Sequence, residues 1–129
     1  MKSETKIYYL RWALVIFGLF LIFGVYLLMR FWPSGWEWLP PQSKYEQMII
    51  GIYATLGVFL ILAARNPLEN RSLIWFTVWS SVVHATIMLF QALYYPNEMG
   101  HFIGDIPALY LMAIIFAFLM PSKQATEQS

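Results

Sequence analysis

Residues 71–95 read RSLIWFTVWSSVVHATIMLFQALYY. The run is apolar and long enough to cross a bilayer, which takes about 20 residues of helix. Thr77, Ser80, Ser81, His84 and Gln91 interrupt it. Thr77, Ser81, His84, Met88 and Gln91 recur at spacings of three or four, so they share one helix face. That face is expected to look inward, because lipid offers no hydrogen-bond partner. Leu73, Phe76, Val82, Ile87 and Leu89 take the other side and suit lipid or packing.

Three further apolar runs flank this one, which predicts spans at about 10–29, 45–64, 72–95 and 105–120. The first begins near a polar, lysine-bearing segment but is longer than the apolar core of a signal peptide. It ends in Met29-Arg30-Phe31-Trp32 and reads as an uncleaved span. The segment FWPSGWEWLPPQS that follows cannot be helical throughout, since Pro33, Gly35, Pro40 and Pro41 break it. Trp32, Trp36 and Trp38 there suit an aromatic belt at headgroup level or a lid over a lipid-like or aromatic ligand.

The second span closes at Arg65 and stops at Asn66-Pro67, because the residue before proline avoids the α region. Gly51 and Thr55, and Tyr53 and Gly57, are four apart, a spacing at which small residues let helices approach in lipid. The connector Pro67-Leu68-Glu69-Asn70 is so short that spans two and three should form a tight hairpin. After Tyr95-Pro96-Asn97, the segment through Gly104 reads as a flexible link carrying His101 as a loop residue. The last span, at about 1.5 Å per residue, reaches only about 24 Å. It must start earlier or end below the surface. The tail at 121–129 is polar and expected to be disordered.

Composition agrees with these spans. The chain has 129 residues, 60% of them hydrophobic and only 12% charged. A soluble domain carries about a quarter charged residues. The expected fold class is therefore all-α, an integral membrane antiparallel four-helix bundle forming one domain. Barrel strands would be shorter and would alternate. A net charge of +1 leaves no basic stripe for nucleic acid. With no cysteine, disulfides and thiolate chemistry are excluded. Lys2, Lys6, Arg11, Arg65, Arg71 and Lys123 fall on one side of the expected membrane, and Arg30 and Lys44 on the other. The positive-inside rule then puts both termini in the cytoplasm.

Depth along each helix locates a site. His84 lies about 20 Å from the inner end of its span, Asp105 about 22 Å and Tyr53 about 18 Å, at the standard helical rise. They share a layer in the outer half of the bilayer. Glu46 and Gln91 lie higher. The expectation is an outward-opening pocket lined by His84, Asp105, Tyr53, Gln91 and Glu46. Each also has a structural reading. His84 and Gln91 can bridge helices, Asp105 before Ile106-Pro107 reads as a helix N-cap, and Glu46 suits a helix N-terminus. His84, His101, Glu46 and Asp105 are donor types zinc or iron accept, but no pair has a metal-motif spacing, so no metal site is assigned. No cofactor is identified.

The segment ARNPLENRSLIWFTVWSSVVHATIMLFQAL, with HFIGDIPALYL after it, resembles a family of small bacterial four-span proteins known as a domain of unknown function. Arg65-Asn66-Pro67, Asn70-Arg71-Ser72, Trp79-Ser80-Ser81, His84 and Gly104-Asp105 carry the resemblance. More distantly, the architecture is similar to DoxX-like four-helix membrane proteins. The resemblance implies a bacterial inner-membrane location and no particular activity. Three functions are open: a binding or accessory protein, an oxidoreductase acting on a quinone-like substrate through His84, or a structural assembly partner. The lipid bilayer is the expected surrounding, with a homo-oligomer or a membrane-protein partner.

Overall fold

A computed structural model describes residues 2–39 and 44–122. Pro40 and Pro41, and most of the expected tail at 121–129, lie outside the described residues. Among the described residues the chain is all-helical, and four helical segments are long and apolar enough to cross a membrane. They are Ser3–Phe31, Lys44–Ala63, Pro67–Tyr94 and Pro96–Leu119.

The first comprises α1 (Ser3–Leu19), a π-helical stretch (Phe20–Gly24) and α2 (Val25–Phe31). It begins well before the apolar run at Leu10. Residues 3–9 hold no proline or glycine, and Glu4 lies in the first turn, where a helix favours negative charge. The helix therefore runs past the segment that hydropathy marks. A short helix, α3 (Pro33–Trp36), follows with proline at its start. Then come α4 (Lys44–Ala63), a 3-10 turn (Pro67–Asn70) and α5 (Arg71–Tyr94). A 3-10 segment (Pro96–Ile103) leads into α6 (Asp105–Leu119). The last α-helix is thus as short as its sequence implies, and the 3-10 segment supplies the missing length.

The helices touch in the order α4, α1, α6, α5. The α1–α4 crossing is set by glycine. A Cβ on Gly57 would lie 2.5 Å from the Gly18 carbonyl oxygen, and one on Gly18 would lie 2.7 Å from that of Gly57. Close backbone approach of this kind is how helices gain van der Waals contact in lipid. Gly51 plays no such part, because a Cβ there would meet nothing within 4 Å. Thr55 hydrogen-bonds back to the Gly51 carbonyl of its own helix.

Between α1 and α6, Phe17 packs edge-on against Phe116. Between α6 and α5, the hydroxyls of Thr86 and Tyr110 bond at 2.7 Å. Arg71 Nη1 donates to the Pro121 carbonyl at 2.6 Å, so the chain just past α6 is held against the start of α5.

The expected tight hairpin of α4 and α5 does not form. Their connection is short, but along their lengths they make few contacts among the described residues. Gly18 and Gly57 draw α4 toward α1 instead. The row of helices therefore has one open seam, between α4 and α5.

Fully buried Leu10, Leu14, Leu60, Ile74, Met112 and Phe116 fill the half nearer the termini. Phe23, Phe76, Trp79, Phe90 and Ile114 stand exposed on the outer faces, as residues meeting hydrocarbon should.

Candidate functional site

The other half of the molecule, away from the termini, holds a cavity of about 600 Å³. The π-helical stretch contributes Phe20 and Leu21, and α2 contributes Val25 and Met29. A π-bulge widens a helix locally and recurs at functional sites. Tyr53, His84, Asp105, Gln91 and Glu46 all reach the cavity wall. Three helices, α4, α5 and α6, bring them together: Tyr53, His84 and Asp105 sit at similar distances from the terminal ends of their helices, and Glu46 and Gln91 lie further out.

Tyr53 on α4 and His84 on α5 hydrogen-bond through the phenol oxygen and Nδ1. This contact bridges the open seam. Asp105 lines the same cavity. Glu46 is buried at the start of α4, with the Trp38 backbone N–H near its carboxylate. Gln91 is exposed at the cavity edge.

Asp105 does not cap its helix. Gly104 occupies the N-cap position, with no side-chain cap. The two carboxylate oxygens instead accept from the Trp38 indole N–H and face His101 Nδ1, each at 2.8 Å. His101 is correspondingly not a surface loop residue. It is 1% exposed, inside the 3-10 segment. Its Nε2 lies 2.9 Å from Glu98 Oε2, outside hydrogen-bond alignment. Its ring stacks on Trp38. Glu98 also accepts the Leu39 backbone N–H at 3.1 Å. The chain from Trp32 to Leu39 is thus strapped across the cavity end by acidic groups.

Two glycines permit this strap. A Cβ on Gly104 would lie 2.0 Å from the Gly35 carbonyl oxygen, and one on Gly100 would lie 2.3 Å from that of Ser34. The same glycines make the segment read as flexible, which hides His101 and Glu98 from sequence reasoning. Glu98, His101 and Asp105 at spacings of three and four were the available signal.

The three tryptophans differ in position. Trp32 stays at the surface, while buried Trp36 and half-buried Trp38 line the cavity. Trp36 Nε1 is buried and has no hydrogen-bond partner among the described residues. Those residues also contain no cluster of three or more histidine or carboxylate ligands that could hold a metal ion.

No curated protein and no solved structure matches the chain. One family does match it, over residues 4–129. The chain therefore belongs to DUF6632, a family of unknown function.

Proposed function

We propose that this chain is a multi-pass membrane protein that binds a small amphiphile in the cavity between α4 and α5. Tyr53, His84, Glu46, Gln91 and Asp105 line that site as its polar groups. The supporting observation is one cavity of about 600 Å³ with a largely apolar wall and a few converging polar side chains. That combination is the usual form of a small-molecule site. Helices held together only by polar contacts would have no use for a cavity of this size, which weighs against a purely structural role.

The lysine and arginine distribution supports a topology with both termini in the cytoplasm and the cavity opening outward. In a bacterium the membrane is then the inner one. The distant similarity to DoxX-like proteins extends to span count and carries no chemistry.

A second reading is favoured by one contact. The hydrogen bond between Tyr53 and His84 joins two groups able to pass a proton. An oxidoreductase acting on a quinone-like substrate would use that pair.

Purified protein in nanodiscs, titrated with tritiated decylubiquinone, tests both readings. Saturable one-to-one retention, weakened in His84→Phe, is the expected result. Retention that never saturates, and that His84→Phe leaves unchanged, ends the binding proposal. Quinol oxidation or quinone reduction with an added electron partner, lost in Tyr53→Phe, would move the assignment to the enzyme.

A further inference from the structure

The cavity wall is rich in carboxylates and poor in cations. Glu46, Glu98 and Asp105 line it. Glu37 lies close enough to interact with Glu46 through its charge. The two cations at this end of the chain, Arg30 and Lys44, are exposed, and neither reaches the wall. His101 between Glu98 and Asp105 offsets only part of this acidity, so a phosphate or carboxylate head entering here would face more acidic than basic groups in a poorly solvated space, where Coulombic repulsion is strong.

The carboxylates are also engaged. Asp105 is taken up by Trp38 and His101. Glu98 holds the Leu39 N–H and faces His101. Glu46 has the Trp38 backbone N–H near its carboxylate. An ammonium head would have to displace these contacts.

The wall also offers an uncharged donor. The Trp36 indole N–H is a buried donor with no partner among the described residues. A buried donor left unpaired costs about 1–3 kcal/mol, so an acceptor supplied by a ligand is favoured there. Gln91 adds an amide, and the Tyr53–His84 pair adds groups that can donate or accept.

The mouth indicates where the ligand comes from. Tyr45, Ile49, Gln91 and Tyr95 line the cavity and are exposed as well. They sit on α4, on α5 and just after α5. The cavity therefore opens at the seam between these helices, toward the hydrocarbon rather than only toward water.

We infer that the occupant of this cavity is an uncharged amphiphile from the bilayer whose head carries a hydrogen-bond-accepting oxygen bound by Trp36. Phospholipids, fatty acids and lipophilic amines are discriminated against. This inference rests on the binding function proposed above and adds the charge and head chemistry of the ligand.

Displacement in nanodiscs of zwitterionic lipid tests it. Tritiated decylubiquinone, uncharged and bearing carbonyl oxygens, is the bound reporter. Competitors of similar tail length are 2-tetradecanone, dodecyl phosphate and dodecylamine. The ketone should displace the reporter at least about tenfold more potently than either charged competitor, a difference of about 1.4 kcal/mol. Trp36→Phe should weaken the reporter and the ketone together by up to about tenfold, the loss of one hydrogen bond. Gln91→Arg changes an exposed side chain and should leave the fold intact. It should raise the potency of dodecyl phosphate about tenfold by giving the wall a cation. Equal or greater potency of the phosphate or the amine in the unmodified protein overturns the inference while leaving the binding function standing. If the reporter itself never binds saturably, both fail.

Discussion

Trp38 and His101 stack with ring centroids 4.0 Å apart and planes 19° apart. The two residues belong to different segments, the strap after α3 and the 3-10 segment before α6. From the same indole, Nε1 reaches Asp105 at 2.8 Å. One side chain thus ties the strap to His101 in the 3-10 segment and to Asp105 at the start of α6, and the cavity end is closed by this contact rather than by a regular helix.

Trp38→Phe keeps a ring for the stack but removes the donor that satisfies Asp105. A buried carboxylate oxygen left without its donor costs about 1–3 kcal/mol. Thermal unfolding in detergent should show that loss. Adding Asp105→Asn to Trp38→Phe should cost less than the sum of the two single changes, because the pair acts as a unit. Strict additivity would mean that the strap is held elsewhere.

Gly104→Ala and Gly51→Ala should differ in sign. The first puts a methyl group 2.0 Å from the Gly35 carbonyl, a backbone atom that cannot yield cheaply. It should lower the unfolding temperature sharply. The second meets open space and should stabilise α4 by up to about 1 kcal/mol through helix propensity. Similar behaviour of the two variants would contradict the close strap packing.

Gly57→Leu should separate α1 from α4, since even a Cβ at that position lies 2.5 Å from the Gly18 oxygen. Spin labels on the two helices should report a longer distance and a broader distribution than in the unmodified chain. An unchanged distance would show that the crossing is not set by these glycines.

Tyr53→Phe removes the hydroxyl bonded to His84. The loss is about 0.5–1.5 kcal/mol, that of an ordinary hydrogen bond. The chain has 2 histidines, so their ring nitrogens can be assigned by elimination. Nitrogen NMR of labelled histidine should move the His84 signals and leave those of His101 in place. A shift of His101 alone would reverse that assignment of contacts.

Topology is open to a clean test because the chain contains no cysteine. Met99 and Asn66 are both exposed and lie at opposite ends of the helices. In intact cells, Met99→Cys should react with a membrane-impermeant maleimide, and Asn66→Cys should react only after permeabilisation. The reverse pattern would invert the proposed orientation.

The helices were legible in the sequence, because hydropathy and proline act locally. The α-helices α4, α5 and α6 begin and end close to the apolar runs, while the 3-10 segments extend the third and fourth membrane-length segments back to Pro67 and Pro96, and α1 runs further because helix propensity outlasts the apolar run. Tyr53, His84 and Asp105 reached one wall for an equally simple reason: a fixed rise per residue converts sequence position into depth. The reading failed at 96–104, where Gly100 and Gly104 resemble a hinge but serve close packing. It also failed at the π-helical stretch Phe20–Gly24, which has no marker in hydropathy.

The amino-acid sequence by itself determined that this chain is helical, apolar enough to span a membrane four times, and equipped with a small set of polar residues at matching depth. Those properties follow from each segment taken alone. Only the tertiary structure decided that α4 leaves α5 for α1, that His101 is enclosed between Glu98 and Asp105, and that a cavity remains in the open seam. These depend on which backbone approaches which, and two glycines on different helices must meet before either one matters.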